Sequence, residues 1–386
     1  MTQVTEAIDV APRSDLPTGG IAREAELRYY TASQFQLMWW KFKKHRLALV
    51  GTTILGILVF IALFAEFLSP YTPTARSPNY LHGRPQVLHF VDAEGKFHLR
   101  PFTYELTAAM DPQTFLLEVK EDTSKPWPVY FFVKGNPYEM WGVIKSDRHL
   151  FGVKEGHLHL LGTDQLGRDI LSRLFHATRT SLTIGVVGLF ISFFLGLIIG
   201  GISGFFGGTV DDAIQRFIEF IRSIPTLPLW MALAAALPME WSPQRVYFTI
   251  TILLGLLGWT HLARRVRGKL LSLREEDFVV AARIAGSSNS RIIARHLLPS
   301  FLSYIIVDLS ISFPYMILAE TSLSFIGLGL RAPVISWGVL LQDAQNIQSI
   351  ALYPWLFTPV AFVILAVMAF SFVGDGMRDA ADPYSR

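Results

Sequence analysis

The chain has no cysteine among its 386 residues. That excludes a disulfide framework, thiolate zinc or iron–sulfur ligation and a cysteine nucleophile, and it leaves the redox compartment open. Charge is scarce too: Asp, Glu, Lys and Arg make up 17% of the residues, against 51% hydrophobic ones, and the mean hydropathy is +0.37. Soluble domains carry about 25% charge, so this composition points to a membrane. The net charge of +3 is small, and nucleic acid is not an indicated partner. Nucleotide and catalytic signatures are missing as well. Gly95-Lys96 and Gly268-Lys269 lack the upstream glycine and following hydroxyl of a phosphate cradle, and Gly327-x-Gly329 lacks the third small residue of a dinucleotide turn. There is no H-E-x-x-H and no G-x-S-x-G. The chain is therefore not expected to be an enzyme or to hold a cofactor or metal, and any energy source must lie in another chain.

What the sequence does have is long apolar runs. Leu47 to Leu68 is long enough to cross a hydrocarbon core of roughly 30 Å, with one acid, Glu66, at its far end. Polar residues precede it, and Ser69-Pro70-Tyr71 follows where a small-residue cleavage site would stand, so it is read as a retained anchor. Further runs near 181–206, 213–238, 246–263, 299–325 and 355–374 bring the expected count to six spans. Arg216, Glu219, Arg222 and Pro225 interrupt the third, which is expected to start as a partly cytoplasmic helix and enter the bilayer near Pro225. Lys41, Lys43, Lys44 and Arg46 precede the first span, and residues 264–298 carry Arg264, Arg265, Arg267, Lys269, Arg274, Arg283, Arg291 and Arg295. Residues 326–354 carry only Arg331. The positive-inside rule then puts both termini and the 264–298 loop in the cytoplasm.

The expected fold is an all-α integral membrane protein of six transmembrane helices with a small β-rich extracytoplasmic insert. Residues 1–30 have the composition of a flexible cytoplasmic tail, and 31–46 place Phe35, Met38, Trp39 and Phe42 at helical spacing, as an amphipathic helix lying on lipid would. A plain extension of the first span is the alternative. The first span covers 47–68, the insert 69–180, the core 181–376 and a cytoplasmic tail 377–386. Within the insert, Gln86 to Phe90 and Lys96 to Arg100 flank Asp92-Ala93-Glu94-Gly95, a hairpin signal, and Phe115 to Val119 and Val129 to Val133 read as two more strands. His149, His157 and His159 lack acidic or further histidine partners at ligand spacing and are read as surface or packing residues.

The 264–298 loop carries the most information. Ser272-Leu273-Arg274-Glu275 fits a capping box, after which Phe278, Ala281, Ala282 and Ala285 fall on one helical face. Gly286 closes the helix where positive φ is needed, and Arg291 to Leu298 form a second helix leading to Pro299. Small side chains on an apolar face suit a helix seated in a partner's groove, so bulk at Ala282 or Gly286 should disrupt that seat.

Asp277 to Gly286, followed by His296-Leu297-Leu298-Pro299, resembles the EAA loop of ABC-importer permeases, with Val280 in place of the acid and His296 in place of isoleucine. Trp40 to Gly51, Leu68-Ser69-Pro70-Tyr71, Leu161 to Asp169, Gly204 to Gly208, Thr321 to Gly329, Ser336-Trp337-Gly338 and Gly374 to Asp379 are similar to the dipeptide/oligopeptide permeases, specifically their C-type subunit. Residues 80–155 match none of these motifs and make the segment longer than the family leads one to expect. The resemblance implies a heterodimer with a second, homologous permease, two ATPase subunits that hold ATP and Mg, and an extracytoplasmic solute-binding protein. It also implies an inner-membrane location and an ATPase-coupling site at Asp277, Phe278, Ala281, Ala282, Ala285, Gly286, Arg291, Leu298 and Pro299. The solute would be a peptide, or alternatively a sugar, opine or nickel.

Two acids lie within the fifth span. Asp308 either lines the solute path or makes a structural bond to a neighbouring span, and Glu320 is read as a packing or partner contact. Gly185, Gly188, Gly196 and Gly200 are spaced for close helix packing. A stand-alone secondary transporter would show repeated hydropathy in its halves, and a membrane scaffold would leave the Ala/Gly loop face without a purpose.

Overall fold

The computed structural model describes residues 32–110, 117–346 and 351–381; the 1–30 tail and residues 382–386 lie outside them. Ser33 caps α1 (Gln34–Phe42) through a reciprocal capping box with Gln36, and the chain then breaks before α2 (Arg46–Leu63). α1 is thus a separate helix and not an extension of the first span. Its Phe42 packs with Ala48 and Ala380, leaving Trp39 and Trp40 exposed. The first span ends at Leu63, five residues short of the expected Leu68. Phe64 leaves helical geometry before the short α3 (Ala65–Leu68).

The insert is an antiparallel four-stranded meander in the order β1 (His89–Val91), β2 (Phe97–Met110), β3 (Leu117–Met140) and β4 (Ile144–Val153). The first hairpin turns where expected, with Gly95 at φ 84° and Asp92 accepting from the backbone of Glu94 and Lys96. The two later runs prove to be parts of one strand. β3 is long enough to pair with β2 through its first half and with β4 through its second; Phe115 and Pro112 to Thr114 lie outside the described residues.

The next helix, α4 (Ile170–Phe206), starts eleven residues before the expected 181, so the insert closes at Asp169 and not at 180. Asp169 is its N-cap, accepting from the Ser172 amide at 2.7 Å. Hydropathy misses this start because Arg173, His176 and Arg179 occupy the first turns. Their charges are met by protein: Arg173 reaches Asp164 and Asp343, and Arg179 reaches Glu66. Where the third span was expected, α5 (Gly208–Ser223) and α6 (Thr226–Ala235) are bent by 81° from one another. Ile224, forced extended by the following proline, makes the break near the expected residue. The described residues thus hold five helices long and apolar enough to cross a membrane, or six if the bent pair is one span.

α7 (Pro243–Leu273) runs ten residues past the expected end of the fourth span. It packs along α4 so closely that a Cβ on Gly200 would stand 2.5 Å from the Ala263 carbonyl oxygen. The small residues do permit close packing. The remaining long helices are α11 (Leu302–Phe325) and α13 (Thr358–Ala381). α13 carries helix through Met377 to Ala381, where a tail was expected from 377. The bundle core centres on Trp337, fully buried in α12 (Trp337–Gln342), whose indole donates to Thr178.

Candidate functional site

The loop helix is α8 (Asp277–Ile284). It does not begin in a Ser272 capping box: Ser272 belongs to the last turn of α7, and Glu276 is the N-cap, with no side-chain cap bond. Asp277 in the first turn and Arg283 in the last complement the helix dipole. The C-terminus closes as a Schellman motif. Ser287 N donates to the Ala282 carbonyl and Gly286 N to that of Arg283, with Gly286 at φ 77° as expected. Ser288 then caps α9 (Asn289–Arg291), which continues through a π-helical stretch, Ile292–Leu297, into α10 (Leu298–Ser300).

α8 is apolar on two faces. Val279, fully buried, enters a cluster of Phe205, Leu262, Val266, Leu270, Ile292 and Leu297, worth about 1.5–3 kcal/mol for that side chain. Ala282 points the same way and packs against this cluster. That corrects the expected grouping of Ala282 with the outward residues. The other face is exposed and carries Phe278, Val280, Ala281, Ile284 and Ala285. Ile284, 82% exposed, is the most open of these large side chains. In the sequence the 278–281–285 spacing masks a second exposed pair, Val280 and Ile284, four residues apart. Asp277, Arg291 and Pro299 are exposed too, whereas Leu298 packs partly into the cluster that anchors the helix. The chain thus fixes α8 by one face and offers the other, as a helix does when a second partner covers it.

The cluster ties α8 to the spans, since its members come from α4, α7 and the start of α11. Next to it, Arg267 of α7 holds Asp211 of α5 in a two-point pair to which Ser203 of α4 adds a hydrogen bond. α8 is therefore connected to several helices through packed side chains.

Asp308 is only 4% exposed and pairs with Arg265 of α7. This partner was hidden in the sequence because ending the fourth span at 263 placed Arg265 in a loop. Glu320 is fully buried and accepts from Ser324 at 2.8 Å and Ser181 at 3.2 Å, so it joins α11 to α4.

At the insert end of the bundle, Leu161 to Asp169 forms a tight polar loop. Asp164 accepts from the amides of Leu166 and Arg168 and pairs with Arg168 and Arg173, while Asp343 reaches across from the segment after α12. His159 bonds Asp169 at 3.0 Å and stacks with His157, and Tyr80 meets both rings edge-on. His149 bonds the carbonyls of Ser69 and Asn136. Burial, with the neighbouring His159 second, holds the His157 pKa below its ordinary value. These histidines pack, and among the described residues no three His, Asp or Glu are grouped to hold a metal.

A multi-span helical bundle with a short apolar helix exposed between two of its long helices is the architecture of a membrane permease. Residues 193–386 match the family described as binding-protein-dependent transport system inner membrane component, and 33–85 match the N-terminal TM domain of oligopeptide transport permease C. The chain belongs to this family of ABC-importer permeases, as a C-type subunit. The oligopeptide transport system permease protein OppC of Haemophilus influenzae is 40% identical over 265 residues, 68% of this chain and 80% of that one. OppC of Bacillus subtilis is 37% identical over 229 residues, 59% and 72%. The dipeptide transport system permease protein DppC of Lactococcus lactis is 32% identical over 353 residues, 91% of each chain. That last alignment is long enough to take in the insert, so the segment is not peculiar to this chain.

Proposed function

We propose that this chain forms half of the translocation path of an ATP-driven importer of di- or oligopeptides. The observation that carries the coupling role is the exposed apolar face of α8, anchored behind by Val279. In this reading α8 lies in the cytoplasm, seated in one of two ATPase subunits that hold ATP and Mg. Closure of the ATPase pair pulls α8, and the Val279 cluster carries the pull into α4, α7 and α11, switching access to the path. A second, homologous permease completes the path, and an external binding protein delivers the solute; no bond in the solute changes. The peptide assignment draws on the names of the relatives. We assign the Asp308–Arg265 pair to holding α11 against α7, because the Asp308 carboxylate is buried and Arg265 is the cation that reaches it.

The test is co-expression with the candidate ATPase subunits and second permease. The four should purify together, and peptide-loaded binding protein should raise their ATPase rate. Failure of this chain to copurify with any ATPase would overturn the coupling role; stimulation by another solute would replace only the peptide assignment.

The orientation has its own check. A reporter fused after Arg386 is expected to read cytoplasmic, and one inserted at Gly95 external. Gly95 is the better insertion point than the β3 glycine Gly135, because nothing stands within 4 Å of a Cβ there, whereas the His149 ring crowds Gly135 at 2.6 Å. Both reporters on one face would mean that a span is miscounted.

A further inference from the structure

The β3–β4 hairpin does not stand clear of the bundle. It runs alongside the end of the first span and turns its tip back to the C-terminus of α2. Phe132 lies 6.1 Å from the Phe67 ring, His149 bonds the Ser69 carbonyl, and the tip residue Trp141 lies 6.0 Å from Phe64. Moving from Phe132 to Trp141 along β3 therefore moves from Phe67 back to Phe64 along the span. The Trp141 indole N–H donates at 2.8 Å to the carbonyl of Leu63, the last residue of α2. That carbonyl is one of the acceptors a helix C-terminus leaves unpaired, and Arg179 donates to it and to Ala62 as well. The Arg179–Glu66 pair marks where the apolar span gives way to charge.

The turn itself is unusual. Trp141 and Gly142 have φ of 54° and 71°, the signs of a type I′ turn, in which the first central position ordinarily holds Asn, Asp or Gly. A bulky residue at positive φ is strained and wants an explanation beyond the turn. The side chains beside it are apolar and open: Val143 is 79% exposed, and Trp141 and Ile144 are exposed too. Through Phe64, which packs on Phe60, Trp141 meets the end of α2, where Val59, Phe60 and Leu63 are exposed on the least buried of the candidate spans. The exposed apolar surface at the end of that helix thus continues onto the hairpin tip. Tryptophan at this depth has one polar edge to bond and an apolar body to bury, as interfacial belts do.

We propose that the tip Met140 to Ile144 is a membrane anchor: Trp141, Val143 and Ile144 enter the lipid leaflet at the insert end of the first span. The anchor fixes the insert relative to the bilayer, with Trp141 as the pivot on Leu63. Lipid is the occupant because the tip is continuous with the exposed apolar surface of a helix long and apolar enough to cross a membrane.

The absence of cysteine makes a direct test available. Val143→Cys, Leu63→Cys and Leu99→Cys chains are each labelled with an environment-sensitive fluorophore and assembled with the other subunits. The complexes are reconstituted in phosphatidylethanolamine–phosphatidylglycerol liposomes without binding protein, with some lipid carrying a nitroxide near the head of its acyl chain. Leu99, 89% exposed on β2, is the aqueous reference. The Val143 label should be blue-shifted, lose emission to nitroxide lipid as the Leu63 label does, and resist iodide; the Leu99 label should do the reverse. Iodide access without lipid quenching at Val143 would overturn the anchor. Protection from both quenchers would overturn it too, and would assign the tip to a protein contact.

Discussion

Ile284→Asp is expected to lower ATP-driven uptake by about thirtyfold or more while the permease reaches the membrane at its normal level. Ile284 is 82% exposed, so its replacement costs the chain's own fold within about 0.5 kcal/mol. Seated in an ATPase groove, the same position would bury a carboxylate with no cation assigned to it. A polar group buried without a partner costs roughly 2 kcal/mol or more, which weakens docking by at least that thirtyfold. Ala281→Trp should act in the same direction through bulk. Ala282→Trp is a poorer probe, since Ala282 packs against the chain's own cluster and lost uptake there would mix misfolding with failed docking. Uptake, membrane abundance and copurification with the ATPase are measured together. Wild-type uptake by Ile284→Asp at normal abundance would show that this face is not seated in a partner.

The residues between the fourth and fifth expected spans showed that a short apolar helix lies there, but not which of its faces turns outward. Asp277 to Ala285 is apolar nearly all round, so periodicity alone cannot separate the Val279 side from the Ile284 side; tertiary packing decides. The ends of the long helices were hidden for a different reason. Hydropathy registers where lipid ends, but helix geometry continues wherever charges find partners. Arg173 and Arg179 are paired within the protein, and so α4 begins at Ile170. Arg265 and Arg267 are met by Asp308 and Asp211, and so α7 reaches Leu273. Both cases turn on contacts far apart in sequence. Gly286 and the Asp92–Gly95 turn, by contrast, were legible because positive φ and Asx bonding are local demands on residue type.

The same contacts define how to remove the insert. Gln86 N donates to the His159 carbonyl at 3.0 Å, and His159 N to the Gln86 side chain at 2.6 Å, so the chain enters and leaves side by side. Replacing residues 88–156 by a short Gly/Ser bridge keeps that pairing and the Tyr80–His157–His159 packing. It removes the Trp141 bond to Leu63, but Arg179 still serves that carbonyl. The bundle should therefore assemble and hydrolyse ATP. What is lost is the exposed apolar surface of the first hairpin, where Phe90 and Phe97 stack at 6.5 Å with Leu99 open beside them. Folded at the proposed outer mouth, that surface is placed to meet a docked binding protein. Loss of about 1.4 kcal/mol of contact would raise the binding-protein concentration needed for half-maximal ATPase stimulation roughly tenfold. A contact confined to the insert's own subunit predicts an unchanged concentration dependence, and that result would end the docking role. A tenfold shift in the full deletion should then be reproduced in large part by Phe90→Ser with Phe97→Ser, which leaves β3, β4 and the Trp141 bond in place.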